Sequence, residues 1–573
     1  MNNIERINDY FKLPIYYNQH KVILQDNIIN DLELIETIDA SCKPIYHYYL
    51  NNDEQNELSR QIIKQISGYY TTDVPFIKDN QKLLKELHIT PISDYTKIID
   101  TWNSIKNDDV FKERYYYVEW EMLEHLNNSS LFLQMMSFYN IISPLISLLI
   151  PIIILIIPFV VIKLRGQDIT LDEYINILKN IVQHNAIGKL FTNFNSVALQ
   201  DKAYLIISAA FYIFSIYQNF LVCYKFNQNM IKIHNYFNEI RDYLYNTISR
   251  IQNYLDFSTL LKTHNEFNIH VRNELNNLKE LYTKTQQISK FKYSIQKASE
   301  IGHILKTFYE IYNNKTYENS IMYSFGFNGY IDCIIGLQQN INDKHVNFAR
   351  FTNKKNKSTF KQNYYACLKD KSPVTNNIKL DKNMIISGPN ASGKTTIIKS
   401  VLVNIILTQQ FGCGFYKNAS IKPYHYLHCY LNIPDTSGRD SLFQAEARRC
   451  KEIIDIINQY PDVSHFCSFD ELYSGTNPEE ATISATAFME YIVKNKNVQS
   501  ILTTHFLNVC KNLDKNIKIK NYYMDSNKKE NMIEYFYKLK EGISNVKGGI
   551  NILYEMNYPK ELINNTIQQI NYI

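Results

Sequence analysis

The chain has 573 residues, too many for one hydrophobic core, since single cores stop growing near roughly 250–300 residues; two to four domains are expected. A hydrophobic fraction of 45% with 20% charged residues excludes a mainly disordered or fibrous chain. With 61 Lys plus Arg against 56 Asp plus Glu, the net charge of +5 is too small for the whole chain to act as a polycation, so any grip on nucleic acid or anionic lipid must come from local patches. The nine cysteines are scattered singly, without C-x-x-C pairs or metal-ligand spacing, which points to a reducing compartment. The N-terminal stretch has no short apolar core or small-residue cleavage site, so no secretory leader is expected.

Residues 1–130 are mixed and mostly helical, with helical apolar spacing around Leu32 to Ile38 and Leu58 to Ile66, and carry no motif to which chemistry attaches. Residues 131–225 differ sharply. No Asp, Glu, Lys or Arg lies between Glu124 and Lys163, and 141–162 is almost pure Ile, Leu, Val, Phe and Pro. At about 1.5 Å per residue this run spans the roughly 30 Å of a bilayer's hydrocarbon layer. A second charge-free run, 203–224, is wetter, holding Ser208, Ser215, Gln218 and Asn219. Together they predict a transmembrane helical hairpin in contact with membrane lipid; a pair of buried core helices is the alternative. Pro144, Pro151 and Pro158 suit a membrane helix better than a soluble one, because neighbouring groups there can satisfy the carbonyls that proline frees. Two spans leave both termini on one side.

From 226 to 330 there is no proline, and apolar residues recur at helical spacing, predicting a helical lever-like region. Its twelve Lys or Arg stand against nine Asp or Glu. Lys284, Lys290, Lys292 and Lys297 form one acid-free cluster that could grip a phosphate backbone, although a solvated helix face explains it more simply.

The chemistry lies in 331–573. Gly388-Pro389-Asn390-Ala391-Ser392-Gly393-Lys394-Thr395 satisfies G-x-x-x-x-G-K-[ST], preceded by the strand-like Met384-Ile385-Ile386 and followed by a helical run from Thr396. Such a loop turns backbone N–H groups toward phosphate oxygens, and the helix N-terminus adds partial positive charge. Lys394 would reach the β and γ phosphates of ATP, and the Thr395 hydroxyl would ligate Mg2+. Downstream, an apolar strand runs into Asp470-Glu471: Asp470 for the magnesium, Glu471 to deprotonate the attacking water. A further strand, Val498 to Thr504, delivers His505, placed as a sensor of the γ-phosphate in nucleotide-binding cassettes.

The Leu-Ser-Gly-Gly-Gln signature of cassette transporters does not occur. Instead Ser441-Leu442-Phe443-Gln444-Ala445-Glu446 resembles the Ser-x-Phe-x-x-Glu signature of the MutS family of DNA mismatch repair ATPases. The phosphate loop resembles that family's Gly-Pro-Asn-Met-Gly-Gly-Lys-Ser-Thr, and Asp470 to Thr476 its Asp-Glu-x-x-x-Gly-Thr. Thr503-Thr504-His505-Phe506 resembles its Ala-Thr-His-Tyr, and Val374 to Ile378, which contains Asn376, its Val-Pro-Asn-Asp-Ile. Tyr537 to Gly542, Gly549-Ile550 and Tyr558-Pro559 follow its C-terminal helix-turn-helix region.

The resemblance implies an α/β P-loop (ABC-type) ATPase domain that dimerises, Ser441 of one subunit completing the ATP site of the other. It implies DNA as a partner. Ala391-Ser392 and Lys547-Gly548 depart from the family pattern, the second pair at the C-terminal dimer contact. No mismatch-reading domain with its Phe-x-Glu wedge is legible; Phe237-Asn238-Glu239 fits the letters within a helical stretch. The expectation is a membrane-tethered, MutS-like ATPase with its ATPase domain on the cytosolic side. The alternative is a membrane-bound mechanical ATPase or scaffold that has lost DNA recognition.

Overall fold

Strands of nearly unbroken apolar residues form where a sheet is covered on both faces, and Asn383–Ser387, His465–Asp470 and Val498–Thr504 are of this kind. In the computed structural model they lie side by side in a six-stranded sheet. Its order is Met532–Glu541, Ile519–Lys529, Asn383–Ser387, Val498–Thr504, His465–Asp470, Tyr426–Tyr430. All neighbours run parallel except the first pair, which is antiparallel. The structure describes residues 3–573 apart from 40–41, 52–55, 93, 167–168, 185–198, 353–357, 432–440, 530–531, 546–555, 557, 560, 564 and 567–573. The chain divides into two compact units, one of residues 1–94, 249–275 and 321–573, the other of 95–248 and 276–320.

In the first unit, helix Lys394–Phe411 is buried almost throughout. A five-stranded sheet packs beside it: Asn404 donates to Asn363 Oδ1 (2.8 Å) and accepts from Phe415 N (2.7 Å). The N-terminal residues wrap its far end. Gln409 Nε2 donates to Thr71 O (3.1 Å), Gln410 Nε2 to Ile66 O (2.9 Å), and Asn80 Nδ2 to Gln410 O (2.8 Å). Leu58 to Ile66 form a helix as expected, Glu57–Ile66. Leu32 to Ile38 do not: the helix there is Asp26–Asp31. Glu33 takes a left-handed φ of 53°, and the carbonyls of Glu33 and Leu34 turn away to accept from Ile45 N and Tyr46 N. Tyr537 to Glu541 lie on a strand, and of the C-terminal residues beyond Gly542 only short pieces are described, so the helix-turn-helix, Lys547-Gly548 and Gly549-Ile550 lie outside the described residues in whole or in large part.

The second unit is helical. Phe111 stacks on Tyr312 with ring centroids 3.8 Å apart, and Gln134 bridges Ala298 O and Gly302 N at 2.7 Å each. Gly302 is required there: a Cβ would lie 2.1 Å from Ser130 O. Phe237 is buried against Phe308, so Phe237-Asn238-Glu239 presents no wedge. Two of the four clustered lysines are already committed. Lys284 Nζ lies 2.9 Å from Glu310 Oε2, and the buried Lys297 lies 3.0 Å from Glu300 Oε2.

Helices at Ser130–Ile150 and Lys202–Ser258 are long and apolar enough to cross a membrane. The first belongs to an unbroken helix, Ser130–Leu164, that runs through all three prolines. Proline has no N–H, so Pro144 frees the carbonyl of Asn140 and Pro151 that of Ser147. Both carbonyls are taken. Ser143 Oγ donates to Asn140 O at 3.2 Å, and Tyr212 Oη, on helix Leu199–Ser258, donates to Ser147 O at 2.9 Å. Asn219 Nδ2 bonds Ser147 Oγ, and Cys223 Sγ lies 3.7 Å from Ile141 O, so the two helices pair antiparallel. Tyr212→Phe leaves the Ser147 carbonyl without its donor, and a loss of about 1–3 kcal/mol is expected. A lower thermal midpoint in detergent checks this; an unchanged midpoint would remove the bond's structural role.

Candidate nucleotide-binding site

Strand Asn383–Ser387 ends in the middle of its sheet, and the chain turns through Gly388 to Gly393 into helix Lys394–Phe411. The turn needs small residues. Gly393, at φ 91°, begins the helix, and a Cβ there would press to 3.2 Å from the Tyr537 ring; Ala391 also takes a positive φ, 62°. The first backbone N–H groups of the helix therefore face open space, where their partial positive charge favours an anion. That space is a cavity of about 700 Å3. Asn390, Ala391, Ser392, Gly393, Lys394, Thr395 and Thr396 line one end. Leu368, Pro373, Val374, Met524 and Tyr537 make the rest largely apolar, with Lys371 among them.

The parallel register brings the acids at the end of His465–Asp470, two strands away in the sheet, to the same end. Thr395 Oγ1 donates to Asp470 Oδ2 at 2.8 Å, and Thr503 Oγ1 donates to Asp470 Oδ1. Glu471 follows in a left-handed turn, φ 53°, its N–H bonded to Thr503 O at 3.0 Å. Its carboxylate lies 3.4 Å from His505 Nδ1 and 3.6 Å from Lys394 Nζ. The His505 hydrogen bond, helped by Lys394, holds the Glu471 carboxyl below the usual range against the opposing effect of burial. Burial in turn lowers the Lys394 ammonium's pKa, with Glu471 and Asp470 opposing. Lys394 Nζ donates to Gly388 O (3.0 Å) and Pro389 O (3.1 Å), folded back on its own loop.

The wall fits a polyphosphate. Ser392 Oγ is buried with no hydrogen-bond partner among the described residues, a donor left for an oxygen in the cavity. Thr395 and Asp470 supply the hard oxygen ligands that magnesium takes. The apolar end, with the exposed Tyr537 ring opposite Gly393, suits a flat base.

Residues 384–573 match the family model of MutS domain V. This region is MutS-like. It is 27% identical over 219 residues to the DNA mismatch repair protein MutS of Persephonella marina, covering 37% of this chain and 25% of that protein. The DNA mismatch repair protein MutS of Prochlorococcus marinus (strain AS9601) is 31% identical over 202 residues, 34% of this chain and 22% of its own. A mitochondrial DNA mismatch repair protein mutS homolog of Sarcophyton glaucum is 28% identical over 202 residues, 34% and 20% respectively. The chain thus spans about a quarter or less of the curated relatives it matches.

Within the MutS-like region, Gly388 to Thr396, Asp470, Glu471 and His505 come together as the motifs imply. Two residues stand differently. Asn376 lines the cavity, but its amide is committed to the neighbouring strand, donating to Tyr537 O (2.9 Å) and accepting from Leu539 N (2.8 Å). It positions Tyr537 with one amide N–H and its carbonyl, which leaves the second amide N–H for the cavity. Ser441 is absent from the cavity wall; it caps helix Leu442–Gln459 in a reciprocal box with Gln444. Ser437 to Asp440 lie outside the described residues.

Sequence reading named Thr503, Tyr537 and Glu446 only as motif letters, without their parts in the site, and missed Met524. Glu446 is buried and accepts from Ser474 Oγ (3.2 Å) and Gly475 N (3.3 Å), tying the start of helix Leu442–Gln459 to the turn that follows Glu471. Leu442 closes on the same turn, where a Cβ on Gly475 would meet its Cγ at 2.7 Å. Glu446→Ala is expected to cost about 1–3 kcal/mol and to speed amide exchange across Leu472 to Asn477. Unchanged exchange in that turn would contradict this account of Glu446.

Proposed function

We propose that this chain is a MutS-like ATPase that binds ATP with Mg2+ in the cavity above, works as a dimer, acts on DNA, and is tethered to a membrane. The observation that carries the reading is the convergence, at one end of one cavity, of an anion-cradling helix start, the Thr395–Asp470 pair and the Lys394–Glu471–His505 cluster. ATP with Mg2+ supplies the phosphoryl group and the charge that neutralises it.

The chain's own residues do the rest. The loop from Gly388 to Gly393 orients the phosphates with backbone N–H groups, and Lys394 swings from its loop carbonyls toward the outer phosphates. Thr395 and Asp470 hold the metal, with Thr503 fixing the Asp470 carboxylate. Glu471, kept ionised by His505 and Lys394, accepts the proton of the attacking water. Ser441 serves the partner subunit's site, consistent with its position away from its own.

Helices through 141–162 and 203–224 serve as the anchor, supported by their exposed apolar faces and by the internal capture of proline-freed carbonyls. The ATPase region then lies on the cytosolic side, in a reducing compartment, a reading supported by cysteines that are scattered singly along the sequence. The alternative, a membrane-bound mechanical ATPase without DNA recognition, is favoured by the committed state of Lys284 and Lys297.

Glu471→Gln is expected to keep ATP binding and lose turnover by about 10²–10⁴-fold in the detergent-solubilised chain. Turnover at the wild-type rate would remove Glu471 as the base. Repeating the assay with homoduplex, mismatched and branched DNA at two salt concentrations separates the readings. Stimulation that fades with salt supports the DNA role; indifference to every DNA supports the mechanical alternative.

A further inference from the structure

The helical unit encloses a second cavity, of about 300 Å3, unconnected with the nucleotide chemistry. It lies between the start of the 141–162 run and the end of the 203–224 run, with Ile141 and Cys223 in its wall. Phe226, Met230, Phe291 and Ile304 make its lining mostly apolar. Its outer parts include Tyr293, 79% exposed, and the exposed Lys292, while Ile141 and the neighbouring Tyr224 expose apolar surface beside it.

Among the described residues, one buried side-chain polar atom in this lining has no hydrogen-bond partner. His234 is 4% exposed, and its Nδ1 lies 2.8 Å from Met230 O. A carbonyl only accepts, so Nδ1 carries the hydrogen and Nε2 is left with a bare lone pair. No group among the described residues satisfies Nε2. Burial keeps this ring from charging, lowering its pKa, with Lys297 and Arg241 acting in the same direction and the Met230 carbonyl and Glu300 opposing. Lys297 Nζ, also in the wall, is engaged by Ser289 O (2.6 Å), Ser289 Oγ (2.9 Å) and Glu300 (3.0 Å), so its three donors are spent. The unmet requirement is therefore a hydrogen-bond donor on an apolar molecule, beside a cation at the rim.

The geometry points to a lipid site: one glycerophospholipid whose head group carries a free hydroxyl, the hydroxyl donating to His234 Nε2 and the phosphate lying near Lys292. A membrane lipid is the occupant because the cavity continues the exposed apolar surface of the two long helices, and the inference rests on the membrane reading of those helices. Its consequence is a lipid-selective contact where the anchor joins the helical unit.

The test uses the full chain in vesicles and nanodiscs containing phosphatidylglycerol, phosphatidylmethanol and phosphatidylcholine. Phosphatidylmethanol matches the charge of phosphatidylglycerol but lacks the hydroxyl. Native mass spectrometry should show wild type retaining phosphatidylglycerol about fivefold over phosphatidylmethanol, the ratio one neutral hydrogen bond provides. His234→Phe, which keeps the ring and removes the lone pair, should abolish that ratio while the protein still floats with vesicles. Equal retention of the two anionic lipids by wild type overturns the site and leaves the anchor standing. Wild type that fails to float with any vesicle overturns the anchor and the site together.

Discussion

Burial of helix Lys394–Phe411 is the constraint on which the site depends. From Ile397 onward nearly every side chain is enclosed, and its polar ones, Asn404, Thr408, Gln409 and Gln410, are each hydrogen-bonded within the first unit. A helix fixed so firmly along its length holds its first turn in place, and that turn carries the backbone donors that no helical carbonyl satisfies. The cavity forms in front of them. Residues 1–94 contribute directly, because the carbonyls of Ile66, Tyr69 and Thr71 receive the Gln410 and Gln409 amides. The N-terminal segment is thus part of what holds the turn from Gly388 to Gly393, within the same compact unit.

A second set of bonds links the site to its surroundings. Asp470 is gripped by Thr395 from the helix and by Thr503 from the adjacent strand, so its carboxylate and the Gly388 to Gly393 turn share one rigid frame. Glu446 holds the turn after Glu471, and Asn376 holds Tyr537 at the apolar end. In the helical unit the same logic of satisfaction recurs, with Tyr212 and Ser143 taking up carbonyls that prolines leave open.

What the sequence made legible was local. The phosphate loop, Asp470-Glu471 and His505 each sit at the end of an apolar strand, and strand, turn and helix signals lie within a few residues of one another. The long helices and their proline-bearing apolar run were likewise readable from periodicity and charge. What escaped depends on contacts far apart in the chain: Asn376 with Tyr537, Glu446 with Gly475, Gln409 with Thr71, Tyr212 with Ser147. Leu32 to Ile38 misled because apolar spacing persists where Glu33 has already turned left-handed. For the lysine cluster, composition favoured a solvated helix face over a phosphate grip but did not reveal that Lys284 and Lys297 face Glu310 and Glu300.

The central claim is that the turn from Gly388 to Thr395, with Lys394 released from its own carbonyls, receives the phosphates of Mg·ATP. Equilibrium binding of ATP to the purified full chain, with Mg2+ and with EDTA, beside Lys394→Ala, tests it most directly. The account predicts saturable binding that weakens without Mg2+ and falls by about 10- to 100-fold in Lys394→Ala, the loss of a charged hydrogen bond. Binding by Lys394→Ala at the wild-type affinity would contradict it.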